Sequence, residues 1–156
     1  MSEAMDILAA METQFRASDT LSYIQRHYQE EDPIDADAFG YFPYINLSIS
    51  DLRVEDADNI ASRFMERHIY PVIIMFANRH DKKRFVKTGD TNFKGVWDIY
   101  DDIISTIETD QEFGGVVSKE PIKPDFSAVV EHNLESGLWI GRAALIFEVY
   151  TDTPKV

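Results

Sequence analysis

The chain has 156 residues, of which 44% are hydrophobic and none is cysteine. That length fits one domain in the usual range of about 100 to 200 residues, with enough apolar side chain to close a core, while the missing thiols exclude disulfides, thiolate metal sites and thiol nucleophiles. Lys and Arg number 15 against 28 Asp and Glu, a formal charge of -13; this opposes sequence-reading of nucleic acid, whose affinity rests on cationic neutralisation of phosphates, but an acidic wall that repels a polyanion could let DNA pass without sticking.

The opening Met-Ser-Glu-Ala-Met-Asp lacks the basic and apolar regions of a signal peptide, and no run of about 18 apolar residues occurs, so a soluble, unexported protein is expected. From Met5 to Phe15, the residues Ile7, Leu8, Met11 and Phe15 recur at three- and four-residue spacing and predict a first helix. Leu21, Ile24 and Tyr28 continue either as a further helical turn or as an extended segment feeding a sheet. Residues 29–38 carry five carboxylates and a proline, the composition of a solvated loop. After Pro43, Ile45, Leu47 and Ile49 alternate with Asn46, Ser48 and Ser50, the period of a strand with one buried face. A polar stretch from Asp51 to Asn59 precedes the run Ile69–Phe76, a strand with both faces covered, in which Pro71 should lie near the start or on an edge because it cannot donate to a ladder.

Residues 79–91 hold five of the 15 Lys and Arg and read as a long basic connection with little to pack. From Phe93, the positions Val96, Trp97, Tyr100, Ile103, Ile104 and Ile107 keep helical spacing over about 22 Å at 1.5 Å per residue, with Asp98, Asp101, Asp102 and Glu108 on the other face. Phe113-Gly114-Gly115 ends that helix. Short strands are expected at 116–120 and 126–130, then a polar connection at 131–137, and a long last strand from Leu138 to Tyr150 with Gly141 as a bulge. Elements grouped in this way predict an α+β fold, a single domain over 1–156 with two main helices packed on one face of a largely antiparallel mixed sheet.

Chemistry is sparse. The carboxylates Glu30, Glu31, Asp32, Asp35 and Asp37 lie in one loop, and such charge runs are mostly solvated surface. Asp98, Asp101 and Asp102 share a helix face that hard cations could use, yet no calcium-binding loop accompanies them. His27, His68, His80 and His132 show no His-x-x-x-His spacing, no Gly-x-Ser-x-Gly elbow is present, and Gly114-Gly115 lacks the lysine spacing of a phosphate loop. An enzyme reading would have to rest on Asp32, Asp35 or His132. Lys82, Lys83, Arg84 and Lys87, interleaved with Phe85, suit docking to an acidic surface better than to nucleic acid, with Phe85 or Val86 as the apolar anchor and a neighbouring copy as one partner; an idle flexible loop is the equal alternative.

In element order the chain resembles the tail terminator and tail-completion proteins of tailed bacteriophages. The resemblance is carried by Ile7-Leu8-Ala9-Ala10-Met11, by Phe42-Pro43-Tyr44-Ile45, by Val72-Ile73-Ile74-Met75-Phe76, by the segment from Trp97-Asp98-Ile99-Tyr100 through Phe113-Gly114-Gly115-Val116-Val117, and by Ala143–Val149. The acidic loop at 29–38 and the stretch 51–68 depart from a minimal version of that pattern. The resemblance implies a structural virion protein without catalysis, cofactor or metal. It implies a homohexameric ring in the neck that caps the tail tube, with a tail-tube protein, a head-completion or connector protein and double-stranded DNA in the lumen as partners, no membrane, and assembly in the host cytoplasm. Head-closure or connector proteins share the pattern, and an acidic monomeric adaptor also fits the charge. Within the terminator reading, Lys82, Lys83, Arg84, Phe85 and Lys87 are the expected contacts to tube or neighbour. Asp32, Asp35, Asp37 or the Asp98, Asp101 and Asp102 face would line the lumen.

Overall fold

The computed structural model describes residues 2–31, 40–56, 65–118 and 122–154. Three helices, α1 (Glu3–Ala17), α2 (Lys83–Lys87) and α3 (Val96–Thr109), accompany six strands: β1 (Arg26–Tyr28), β2 (Tyr44–Ile49), β3 (Arg53–Asp56), β4 (Met65–His80), β5 (Asp125–His132) and β6 (Trp139–Pro154). The sheet runs β1-β2-β4-β6-β5, with β3 added to β4; among the described residues only the β1–β2 pairing is parallel. This is the α+β architecture expected from the grouping of elements.

Period-two burial decides which face the helices cover. Along β6, Ala143, Leu145, Phe147 and Val149 are buried, and along β4, Tyr70, Val72, Ile74 and Phe76 are buried with them. They meet Ile7, Met11 and Phe15 of α1 and Val96, Ile99, Ile103 and Ile107 of α3 in one core. The Ser2 hydroxyl accepts from the Met5 N–H at 3.2 Å and so caps α1. At the other end of the helix, the Gln14 amide donates to the Thr106 and Asp110 carbonyls of α3 at 2.9 and 3.1 Å. Both expected alternatives occur: Leu21 closes a 3₁₀ turn at Asp19–Leu21 and Tyr28 ends the short strand β1, with Ile24 buried between them.

Four expectations are corrected. β4 extends well past 69–76 on both sides, because its polar ends are held by sixteen continuous pairs with β6 and by cross-strand ion pairs such as Arg67–Asp152 at 2.9 Å. Pro71 lies in the middle of this strand rather than at a start or on an edge. From Ile49↔Val72 to Arg53↔Ile69 the outer strand takes four steps against three on β4, the one-residue excess of a bulge, and the Ser50 N–H still donates to the Pro71 carbonyl at 2.9 Å. The missing proline donor therefore falls where the outer strand is broken between β2 and β3. The segment 116–118 is not a strand: positive φ at Phe113, Gly114 and Gly115 turns the chain through it, and residues 119–120 lie outside the described set. Gly141 forms no bulge, since it is paired on both sides, with Asn78 and with Val130.

Candidate functional site: a basic, aromatic docking surface

The basic segment at 79–91 is a folded platform, which corrects its reading as a connection with little to pack. It contains α2, whose Val86 is fully buried. Gly141 makes this packing possible: a Cβ there would meet Val86 Cγ1 at 2.5 Å and Val96 Cγ1 at 3.1 Å. Val86 is therefore a core residue and not the partner anchor expected of it. The following loop is fixed from three directions. Asn78 donates to the Lys94 carbonyl at 2.8 Å, and the Asp98 carboxylate accepts from the Gly89 and Gly95 N–H groups at 2.7 and 2.9 Å.

The structure brings Lys82, Lys83 and Arg84 together around aromatic rings, Phe85 among them, with Lys87 on the same short helix. The His80 ring stands edge-on to Phe85 and Phe93, with centroids 5.0 and 4.6 Å away. Arg84 lies over Phe85 at 4.5 Å and Lys82 over the same ring at 5.9 Å, while Lys83 lies over Trp139 at 5.0 Å. Trp139 in turn packs on His132, one strand away, at 4.5 Å. The four cations at 82, 83, 84 and 87 are exposed and Phe85 is half-buried, so the charge is presented to solvent on an aromatic base. A row across the same end of the sheet adds Arg26 and Arg142, through Arg26↔Tyr44↔Ala77↔Arg142. Arg79, beyond that row, lies over Phe42 at 4.6 Å. Seven of the chain's 15 Lys and Arg thus gather here, beside Asp81, Glu131 and Glu135.

The acids proposed for a lumen are distributed differently. Asp32, Asp35 and Asp37 lie outside the described residues. Asp98 caps α3 and closes the preceding loop. Asp102 accepts from the Tyr23 hydroxyl at 2.7 Å and approaches Lys94 Nζ at 3.3 Å; burial, then this bond, pushes the Tyr23 hydroxyl far above its ordinary range. Asp101 is exposed on the outer face of α3. Asp98 and Asp102 thus hold the fold, while Asp101 faces solvent.

The opposite end of the sheet carries a second polar cluster that spacing could not assemble. Glu3 Oε1 accepts from Tyr70 Oη at 2.6 Å and from Thr151 Oγ1 at 2.7 Å, and lies 2.9 Å from His68 Nδ1. Burial raises the Glu3 carboxyl, but the three hydrogen bonds together bring it below the usual carboxylate range. Its bond to His68, reinforced by Glu66 at 3.4 Å, outweighs burial and raises the imidazole. In sequence its members are scattered, Glu3 on α1, Glu66, His68 and Tyr70 on β4 and Thr151 on β6, and no spacing links the three elements.

Among the described residues no group of three or more His, Asp or Glu is placed to hold a metal ion, and no helix is long and apolar enough to cross a membrane. The fold and this site make an α+β domain with a cationic, aromatic end on an acidic chain. No protein-family model matches it, and no curated protein does. Among solved structures it is similar to a chain of one described as "Virion of native gene transfer agent (GTA) particle". The identity is 11% over 92% of this chain and 93% of the other, with a TM-score of 0.34.

Proposed function

We propose that the protein is a non-catalytic structural subunit of the neck of a tailed-phage-like virion, a terminator-type protein that closes into a hexameric ring on the tail tube. There it ends tube growth and offers the head a docking surface. The observation that carries this reading is the separation of charge along the sheet. The β4–β6 end next to α2 gathers cations on a rigid aromatic base, whereas the far end gathers Glu3, Glu55, Asp56, Glu66 and Asp152 with Arg53 and Arg67. Unlike ends on one chain favour head-to-tail contacts, which close into rings when the rotation allows. The resemblance in element order supports the proposed station, a ring at the tail end with DNA passing through it.

The test is the mass of the purified protein by light scattering over a range of concentrations, with negative-stain images of the same samples. A mass six times the 17.9 kDa chain and particles with a central hole are expected. A strict monomer at every concentration, both alone and mixed with tail-tube protein, overturns the reading in favour of an acidic adaptor.

A further inference from the structure

The β5–β6 hairpin ends in a turn that holds a leucine out into solvent. Leu134 is 87% exposed, the most exposed of the large hydrophobic side chains described. The turn beneath it is tied down: the Asn133 carboxamide oxygen accepts from the Glu135 and Ser136 N–H groups at 3.0 and 3.2 Å, and the Gly137 N–H donates to the Asn133 carbonyl at 2.9 Å. At the base of the hairpin, Trp139 carries Lys83 over its ring, so the leucine rises beside the cations of α2. Glu135 is the acid in the turn.

At the other end and toward the other edge of the sheet lies a cleft of about 560 Å³, between the first turn of α1 and the corner where β2 leads into β3. Its apolar wall includes Leu8 and Ile49, with Met5 and Leu52 56% and 46% exposed. Its acidic side chains are Glu3, Glu31 and Asp51, and among the described residues no Lys or Arg lines it. Leaving Met5 and Leu52 this open beside buried Leu47 costs hydrophobic stabilisation that a covering group would recover.

We infer that this cleft is the socket for the Leu134 hairpin of a second copy of the chain. The leucine enters between Met5 and Leu52, and the α2 cations of one copy face the Glu3, Glu31 and Asp51 rim of the next. An apolar centre within a charged rim is the usual anatomy of a specific contact, and the charge signs match: a cationic knob and an anionic socket. Because knob and socket sit at opposite ends and toward opposite edges of the sheet, the contact is heterologous. Each copy uses its socket for one neighbour and its knob for the other, as a closed ring requires. The inference deepens the ring reading and rests on it.

The cysteine-free chain makes the test clean. Leu134→Cys in one preparation is mixed with Leu52→Cys, or with Met5→Cys, in another, and a short bifunctional thiol reagent is added. All three positions are at the surface, so the variants fold. A covalent dimer is expected in the mixtures, absent from each variant alone and from Leu134→Cys mixed with Asp19→Cys, a surface site away from the socket. Leu134→Asp is expected to raise the concentration needed for assembly about tenfold or more. Assembly of the unmodified chain by light scattering without cross-linking in the mixtures overturns the inference and leaves the ring reading standing. No assembly and no cross-link, both alone and with tail-tube protein present, overturns both.

Discussion

His27 sits in an environment that its neighbours in sequence do not suggest. It lies on β1, opposite Ile45, and its Nδ1 has no hydrogen-bond partner among the described residues. Burial, helped by the Arg16 guanidinium that reaches the His27 carbonyl at 3.4 Å, lowers its pKa to about 4. The folded protein therefore holds this imidazole neutral where the unfolded chain, with a value near 6.5, would protonate it. A depressed histidine contributes stability that is complete above about pH 6.5 and lost as pH falls toward 4. The slope from this group approaches at most about 1.4 kcal/mol per pH unit. His68 acts in the opposite sense: its raised value contributes stability present below about pH 6.5 and lost as pH rises through the folded value. The lowered Glu3 carboxyl adds a contribution present above about pH 4.5 and lost on further acidification. Between pH 6.5 and 4.5 His27 thus makes the protein weaken on acidification, and among the described residues no other histidine or carboxyl with a shifted value does so in that window. His27→Phe, which removes the buried titrating nitrogen, is expected to flatten denaturant-derived stability across that window. An unchanged slope assigns the effect elsewhere.

Among the elements, α2 shows where sequence reading stops. Five residues with one apolar position that packs, Val86, give no period to detect. The partner that makes the helix possible, Gly141, stands on a distant strand, where a glycine reads equally as a bulge. The strand at 45–49 and the helix from Val96 were legible because each repeats its apolar residues at its own period, although β2 also buries Asn46 between Ile45 and Leu47 and leaves Ile49 half-buried. The ends of β4 were not, since their pairing partners lie on β6, some sixty to ninety residues away by register. The candidate docking residues show the same division. The cations at 82–87 could be picked out by composition, but their aromatic base draws on His80, Phe93 and Trp139 from three other segments. Leu134 carried no pattern and is recognised only by its exposure. Gly141→Ala tests the α2 packing directly, because the new methyl meets Val86 at 2.5 Å. Overpacking of this kind costs about 1–3 kcal/mol, or roughly 2–4 °C of melting temperature per kcal/mol for a chain of this size. Combining it with Val86→Ala should return part of the loss, as coupling between touching residues requires. Strict additivity of the two changes would place α2 elsewhere.

For the whole molecule, the two faces of the sheet divide the work. One face is closed by α1 and α3 over a continuous core, so the exposed side of those helices is an outer wall of the subunit. On α3 that wall presents Trp97, Asp101, Ser105 and Glu108 at helical spacing, while Asp98 and Asp102 turn aside to hold the loop and Tyr23. If this wall faces the lumen of the proposed ring, its acids keep a passing polyanion from binding. The effect falls off within about 10 Å at ordinary ionic strength, so it depends on the acids nearest the duplex. Asp101→Lys with Glu108→Lys reverses the wall without touching a capping or hydrogen-bonded carboxylate, so ring mass and melting temperature should stay as they were. DNA delivery by particles carrying the variant should fall, because lysines facing the duplex bind phosphates and release counterions. Raised salt during ejection in vitro should restore part of the loss, as that electrostatic origin demands. Particles that assemble normally and deliver DNA at full efficiency would turn α3 away from the lumen and assign the wall to contact with tube or head.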